Sequence, residues 1–255
     1  MNTEKVVEAL RESYRNGDYC PESWIGKLDL DAAYRAQLGL LGFKLEAGDR
    51  QAGWKVGLTA DAMREMFGSS EPAFGYLLER GSMLSSGTLR LADMATPMVE
   101  NEILITLARD LPGPGVTPDA ARQAIQTIAP ALEIVEMRGA DMRVDMPLAI
   151  ADNLSQYAFV HGQPITPAPD FDFADVRAEV RVNGQLRETV RGGDAMDNQL
   201  HTVAWLANKL HRYDRTLLAG QKIMTGSFTK PIAVKAGDLI ETRFGGVGVV
   251  SVRFE

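Results

Sequence analysis

The sequence predicts an α+β fold: a small helical N-terminal lobe followed by a β-rich body, a rolled or barrel-like mixed sheet with a few outer helices. Two patterns predict this division. In residues 1–50, apolar side chains recur at helical spacing, whereas residues 51–255 consist mainly of short apolar segments separated by glycines. There is no internal repeat or low-complexity tract. We therefore expect a lobe over residues 1–50 and one main domain over 51–255.

Composition and charge exclude several classes of protein. The chain has 255 residues, of which 45% are hydrophobic and 24% charged, as in ordinary globular proteins. Its formal net charge of −7 argues against nucleic-acid binding and against an anionic membrane as partner. The single cysteine, Cys20, excludes an intramolecular disulfide and a multi-cysteine zinc site. With neither a signal-peptide core nor a membrane-length apolar run, the sequence favours a soluble, cytoplasmic protein.

The first 50 residues contain two predicted helices. The first covers residues 3–15, with Thr3 as a possible cap, and a connector follows over 16–28. The second covers about 30–46, where Asp29 or Asp31 can cap the start and Gly48 ends the helix.

A lysine then interrupts an apolar segment. Gly53–Leu58 is a predicted strand that includes Lys55, and a short helix is predicted over Thr59–Phe67. Such a lysine either extends its amine to solvent at a sheet edge or lies beside an anionic ligand. Residues 68–96 are rich in turns, which indicates β-structure and loops.

Two glutamates lie on the most strongly apolar strand, Val99–Leu107. Because side chains alternate along a strand, Glu100 and Glu102 share one face. Either both point to solvent, or they bind a hard divalent cation such as Mg²⁺, which prefers carboxylate oxygens. The strand alone leaves both alternatives open.

The next segment predicts a helix and another strand with an acidic residue. A helix begins at Thr117–Pro118, runs to about Ile128 and is ended by Pro130. Ala131–Met137 is a strand with Glu133 among apolar neighbours.

The C-terminal third contains a hairpin, a helix and further strands. Asn183-Gly184 joins two alternating segments and is typical of a type I′ turn. A helix capped by Asp197 is predicted over 198–212. The predicted strands that follow are Lys222–Ser227, Leu239–Phe244 and Val249–Phe254.

Several common catalytic motifs are absent. The sequence has neither the G-x-x-x-x-G-K-[ST] nor the G-x-G-x-x-G nucleotide motif, and no G-x-S-x-G nucleophile elbow. Its three histidines lack the spacing of a zinc-binding helix. The polar residues that remain are carboxylates, Lys55 and a Thr-Gly-Ser turn.

Five short motifs resemble, in order, those of one family. It is the hydratase/decarboxylase branch of the fumarylacetoacetate hydrolase superfamily, which acts on 2-oxo acids in aromatic catabolism. The resemblance extends from about Asp29 to the C-terminus. The motifs are Gly53–Thr59, Val99–Ile103, Pro130–Ile134, Ala151–Asn153 and Thr225–Ser227.

The resemblance implies a metal centre and a set of site residues. Glu100, Glu102 and Glu133 would bind one Mg²⁺ or Mn²⁺ ion, and Lys55 would contact the carboxylate or enolate oxygen of the substrate. It also implies the rolled fold of that family and a homo-oligomer, which associates in some cases with another enzyme of the pathway. Further substrate-binding residues implied are Asn153, Ser155, Thr225 and Ser227.

The expected activity is that of a lyase. The first hypothesis is a hydratase of the 2-keto-4-pentenoate or 2-oxohept-4-ene-1,7-dioate type, in which the metal-bound 2-hydroxydienoate ketonises and water adds at C4. The alternative is a 4-oxalocrotonate decarboxylase, which uses the same electron sink to expel CO₂. Acylpyruvate hydrolysis is less well matched because no histidine stands near the metal motifs, and the non-enzyme alternative is a metal-containing partner of other subunits.

Two departures from the family pattern bear on this choice. Hydratases of the family carry aspartate in a P-D-[FY]-G turn, but the turn here is Pro72-Ala73-Phe74-Gly75. An apolar residue at this position favours decarboxylation, unless Glu71 replaces the missing carboxylate as the base. The second departure is Asp197–Leu200, which lacks the family's proline.

Overall fold

A computed structural model describes residues 3–17, 21–138, 145–195 and 198–255. None of the helices in these ranges is long and apolar enough to cross a membrane. The α-helices are α1 (Thr3–Asn16), α2 (Leu30–Glu46), α3 (Asp61–Phe67), α4 (Pro118–Ala124), α5 (Met146–Ala151), α6 (Gly192–Ala195) and α7 (Gln199–His211).

The strands form two sheets, as the glycine-separated apolar segments predict. They are β1 (Gln51–Gly57), β2 (Ala73–Leu78), β3 (Ser82–Leu84), β4 (Gly87–Leu89), β5 (Pro97–Leu107), β6 (Ile125–Glu136), β7 (Gln156–His161), β8 (Arg177–Val182), β9 (Gln185–Arg191), β10 (Lys222–Met224), β11 (Ile232–Ala233), β12 (Leu239–Phe244) and β13 (Gly248–Phe254).

The larger sheet is rolled. Its strand order is β2-β1-β10-β5-β6-β7-β3, with β11 paired to β5. The roll brings β2 against β7, and the short turn Asn153–Ser155 packs against β2 where the two approach. The predicted α+β class with a rolled mixed sheet is therefore confirmed.

The smaller sheet has the order β4-β13-β12-β8-β9. Asn183 and Gly184 join β8 to β9 with φ values of 53° and 78°. Positive φ at both positions defines a type I′ turn, so the predicted hairpin is present.

A separate hydrophobic cluster covers each face of the rolled sheet. On the outer face, α1 and α2 share one large hydrophobic cluster with the strands, and the ring of Tyr34 stacks on Phe74 with centroids 4.3 Å apart. The concave face holds a second, smaller cluster. Its members are Ala52, Leu77, Leu104, Ala129, Ala131, Phe159 and Met224. The division into a lobe over 1–50 and a domain over 51–255 stays a prediction.

The helix predicted up to Ile128 was too long. It ends at Ala124, and the residues from Ile125 onward pair with β5 instead. Pro130 does not end a helix but lies inside β6, opposite Ile103. The carbonyl of Pro130 faces β7 and accepts from the Gly162 N–H at 2.8 Å. The N–H and C=O of one strand residue point to the same side, so the N–H that proline lacks is not needed in the ladder with β5.

Two predicted helix caps can be compared with the structure. Asp29 caps α2, because its carboxylate accepts from the Ala32 N–H. Asp197 lies outside the described residues, and the side chain of Asn198 caps α7 by accepting from Leu200 N–H. The strand predicted over Lys222–Ser227 is shorter, since β10 ends at Met224.

Candidate active site

Two neighbouring strands bring the three predicted metal ligands together. Glu100 on β5 lies directly opposite Glu133 on β6, and Glu102 is two residues further along the same face. One carboxylate oxygen of each lies within 4.8 Å of the others. Glu102 and Glu133 are buried and Glu100 is partly buried. The alternative in which Glu100 and Glu102 point to solvent is therefore wrong.

Burial raises the pKa values of all three carboxyls, and repulsion between like charges raises those of Glu100 and Glu102 further. Burial and then the repulsion from Glu133 raise the pKa of Glu100 to about 7. Burial and the same neighbour raise the pKa of Glu102 well above its usual range, and burial raises that of Glu133. A carboxylate cluster of this kind is costly unless a cation neutralises it.

The oxygen atoms of the cluster fit a divalent ion. Glu133 Oε1 lies 3.1 Å from Lys55 Nζ, and Glu133 Oε2 has no hydrogen-bond partner among the described residues. One Glu102 oxygen accepts from the Gly226 N–H at 2.8 Å, which fixes the carboxylate. The convergent oxygens of these three carboxylates are a suitable ligand set for Mg²⁺ or Mn²⁺.

Lys55 is buried beside this cluster, so it does not extend to solvent at an edge. It is 4% exposed, and its Nζ lies 3.1 Å from Glu133 Oε1. Burial lowers the pKa of Lys55, but Glu133, Glu100 and Glu102 outweigh burial and raise it above the usual value. The amine is therefore a charged donor held against the carboxylates.

Glycines make room for the Lys55 side chain. Gly75 is opposite Lys55 in the β1–β2 ladder, and a Cβ there would lie 3.3 Å from Lys55 Cγ and 2.9 Å from Asn153 Oδ1. A Cβ on Gly57 would be 3.9 Å from Lys55 Nζ. A side chain at Gly75 would thus push against both Lys55 and Asn153.

The Thr225–Ser227 turn contacts the cluster through its backbone. Gly226 has a φ of 106°, and a Cβ there would lie 2.3 Å from Thr59 Oγ1, so this backbone position requires glycine. The Thr225 hydroxyl donates to Ile103 O at 2.8 Å, and the Ser227 hydroxyl donates to Thr229 O at 2.7 Å. The substrate-binding roles of Thr225 and Ser227 stay predictions.

Asn153 and Ser155 belong to a strained turn at the edge of the roll. Asn153, Leu154 and Ser155 all have positive φ, at 59°, 50° and 61°. The Asn153 amide accepts from Tyr76 N–H at 2.7 Å and donates to Tyr76 O at 3.0 Å, extending the edge of β2. Three successive non-glycine residues with left-handed backbone conformation are energetically costly, and such strain is found where function constrains the backbone. Substrate contacts of Asn153 and Ser155 stay predictions.

Ala73 and Glu71 lie in different environments. Ala73 is buried opposite Gly57 and shares the concave face with Gly75 and Lys55. Glu71 is partly exposed, and its carboxylate is ion-paired with Lys209 of α7. The role of Glu71 as a catalytic base stays a prediction, and a carboxylate at position 73 would face the cluster side of β2.

Comparison with known proteins agrees with this geometry. The family model for the fumarylacetoacetate (FAA) hydrolase C-terminal region matches residues 60–255. The chain belongs to the fumarylacetoacetate hydrolase family. The family match includes all three glutamates but begins after Lys55.

Relatives of this fumarylacetoacetate hydrolase family member extend over its whole length. It is 31% identical to a 2-hydroxyhexa-2,4-dienoate hydratase of Comamonas testosteroni, over 98% of this chain and 95% of that one. It is 34% identical to a 2-keto-4-pentenoate hydratase of Paraburkholderia xenovorans (strain LB400), over 100% and 91%.

A solved structure of the family matches almost completely. It is 4-oxalocrotonate decarboxylase from Pseudomonas putida G7, complexed with magnesium and adipate, with a TM-score of 0.93 and 27% identity over 100% of this chain and 99% of that chain. The predicted hydratase/decarboxylase branch is confirmed. Hydratases and decarboxylases are both lyases, and this family member is a lyase.

Sequence patterns alone missed a second buried polar cluster of this family member. Arg138 donates to Glu136 Oε1 at 2.8 Å and to Asp152 Oδ2 at 3.2 Å. Tyr14 of α1 donates to the other Asp152 oxygen, and Glu136 also accepts from Ala95 N–H at 3.0 Å. Because Asp152 precedes Asn153, this cluster anchors the strained turn. The only sequence signal was Asp152 in the Ala151–Asn153 motif.

Proposed function

We propose that the protein is a metal-dependent hydro-lyase that adds water to a 2-hydroxydienoate or 2-oxoalkenoate, of the 2-keto-4-pentenoate or 2-oxohept-4-ene-1,7-dioate hydratase type. The observation that supports this most strongly is the buried convergence of Glu100, Glu102 and Glu133 beside Lys55. The hydratase relatives, at 31% and 34% identity over nearly the whole chain, supply the reaction class. Aromatic catabolism in the cytoplasm is the proposed setting.

The charges of the site favour a divalent ion. Three carboxylates and one ammonium leave two negative charges, which one divalent cation neutralises. Glu100, Glu102 and Glu133 would hold Mg²⁺ or Mn²⁺, and the bound ion would polarise the 2-oxo acid. Magnesium in the related decarboxylase structure supports this choice.

Lys55 is proposed to stabilise negative charge on the substrate. Its ammonium is 3.1 Å from Glu133 and is buried, so it is already oriented and desolvated before substrate binds. A preorganised cation in such a place can donate to the 2-oxygen as the dienol becomes a ketone. The conjugated double bond that results accepts water at C4.

The runner-up is a carboxy-lyase acting on a 4-oxalocrotonate-type diacid. Two observations favour it: Ala73 leaves no carboxylate on the cluster side of β2, and the matched solved structure is a decarboxylase. Both reactions would use the same glutamates and Lys55. They differ in whether a base activates water near the distal end of the substrate.

Two assays on the purified full-length protein test the proposal. A 2-hydroxypenta-2,4-dienoate and an oxalocrotonate-type diacid are incubated in parallel with Mg²⁺ or with excess EDTA, while ultraviolet absorbance and CO₂ are measured. We expect Mg²⁺-dependent formation of a 4-hydroxy-2-oxo acid. Release of CO₂ without hydration would favour the decarboxylase, and full activity in EDTA would refute the metal assignment.

Assembly is also part of the proposal. The family resemblance implies a homo-oligomer, and we propose one for this chain, with association with another pathway enzyme as a further expectation. Size-exclusion chromatography with light scattering would measure the mass, and a monomer of 27.8 kDa at assay concentration would contradict it.

A further inference from the structure

A cavity of about 640 Å³ lies on the outer side of the rolled sheet. It is bounded by α1, α2, β2 and β3, and none of Glu100, Glu102, Glu133 or Lys55 lines it. Tyr76, which lines it, points to the opposite face of β2 from Gly75, the partner of Lys55. The cavity is therefore separated from the carboxylate cluster by the sheet.

The acidic residues that line this cavity already have cationic partners. Glu136 is paired with Arg138 at 2.8 Å, and Asp49 with Arg80 at 3.5 Å. Asp93 is paired with Arg90 at 3.9 Å. An arginine therefore contacts each of these carboxylates, with Arg138 shared between Glu136 and Asp152.

Two cations of the cavity have no ion pair among the described residues. They are Lys44 of α2 and Arg15 of α1, although the chain as a whole has a net charge of −7. The Lys44 Nζ lies 5.3 Å from the centre of the Tyr14 ring and 5.1 Å from that of Tyr76. Burial, and then the positive charges of Arg138 and Arg80, lower the pKa of Lys44 to about 8. An anion beside Lys44 would relieve this repulsion.

We propose that this cavity is a binding site for a small aromatic carboxylate. The carboxylate would pair with Lys44, with Arg15 as a second cation, and the ring would pack against Tyr14 and Tyr76. Apolar walls from Leu40 and Leu78 complete the space. Its volume is within the range of about 300–1,000 Å³ usual for small-molecule sites. The proposed metal ligands and Lys55 lie on the opposite face of the sheet from this site, whereas Asn153, predicted to bind the substrate, also lines the cavity.

Calorimetric titration with benzoate tests the inference. One titration uses the Mg²⁺-loaded full-length protein. A second uses the Glu102→Gln variant in EDTA, in which no metal centre is present to bind the carboxylate of benzoate. We expect equal affinity in both proteins and none for benzamide, which has the same shape without the charge. Lys44→Gln should weaken benzoate binding at least about 10-fold, or about 1.4 kcal/mol.

Controls separate this site from non-specific binding. Lys27→Gln removes the same charge from an exposed lysine outside the cavity and should leave affinity unchanged. If Lys44→Gln fails to fold, Arg15→Gln gives the same test. Benzoate binding that disappears in Glu102→Gln but persists in Lys44→Gln would overturn the proposal, as would no binding to the parent at millimolar benzoate.

Discussion

Two buried charged clusters lie on opposite sides of the rolled sheet, and they differ in how well their charges are balanced. In the outer cluster, Arg138 bridges Glu136 and Asp152, and both carboxylates accept further hydrogen bonds. In the concave-face cluster, three carboxylates share one lysine, whose Nζ lies 3.1 Å from Glu133 Oε1. Burial is common to both clusters. By formal charge the outer cluster carries one net negative charge and the concave-face cluster carries two, so the concave-face cluster has the larger uncompensated charge for a cation to neutralise.

The largest expected change in stability comes from breaking the outer cluster. Arg138→Met leaves Glu136 and Asp152 buried without their cation, and loss of one partner of a buried pair costs about 3–5 kcal/mol. The free energy of unfolding in urea, measured with saturating Mg²⁺, should fall by that amount. The control is Arg181→Met, whose exposed pair with Glu179 spans 3.9 Å and should contribute about 0–1 kcal/mol. Equal losses in the two variants would show that the outer cluster is not structural.

Lys55→Ala should affect turnover more than stability. Loss of one preorganised donor lowers kcat about 10²-fold or more, which corresponds to about 2.7 kcal/mol. KM should change less, because the interaction strengthens as charge develops on the substrate. Steady-state kinetics measure both values, with the exposed Lys230→Ala as the control. A Lys55→Ala enzyme with parental kcat would remove Lys55 from the mechanism.

Substitutions at the Pro72–Gly75 turn distinguish the two reactions. Ala73→Asp places a carboxylate on the cluster side of β2, so it should raise the rate of hydration more than that of ketonisation. The expected gain in hydration is at most about 10²-fold, which is the lower end of the range for general-base catalysis. If Glu71 already supplies the base, Glu71→Gln should abolish hydration and Ala73→Asp should change little. Product analysis by NMR separates these results. Parental hydration by both variants would show that water is activated elsewhere.

The smallest expected effect is a pH dependence of the metal-free protein. The pKa of Glu100 is raised from 4.5 in the unfolded chain to about 7 in the folded one, so between these pH values the folded chain retains a proton that the unfolded chain loses. Stability therefore falls as pH rises through this window. In EDTA, Tm should fall over this window, and each 1 kcal/mol of lost stability lowers Tm by about 2–4 °C in a chain of this size. Glu100→Gln should flatten this slope, and a Tm that rises over the same window would contradict the assigned shift.

Local patterns predicted the strands and the side-chain alternation that places Glu100 and Glu102 on one face. The third predicted ligand, Glu133, follows from the family resemblance, and the β5–β6 register explains why it meets Glu100. Nothing local indicated the Gly226 N–H that fixes Glu102, because this contact joins residues 124 positions apart. For the same reason Tyr14 and Asp152, 138 positions apart, were not predicted to meet.

Pro130 shows where a local rule failed. Proline usually ends helices, which is the basis of the predicted helix stop, whereas pairing with β5 keeps residues 125–136 extended. The β-branched residues Ile125, Thr127 and Ile128 already favoured a strand. Tertiary pairing, which the sequence pattern did not contain, decided the boundary between α4 and β6.

Direct titration of Mg²⁺ into the metal-free protein tests the central claim that Glu100, Glu102 and Glu133 bind one divalent ion. Calorimetry should give one Mg²⁺ ion per chain for the parent. Glu102→Gln should bind Mg²⁺ at least about 10-fold more weakly. Glu241→Gln, on the smaller sheet, is the matched control and should bind Mg²⁺ as the parent does. Glu102→Gln should still fold, because it removes one of three mutually repelling buried carboxylates. Absence of Mg²⁺ or Mn²⁺ binding to the parent, or undiminished binding to Glu102→Gln, would contradict the assignment.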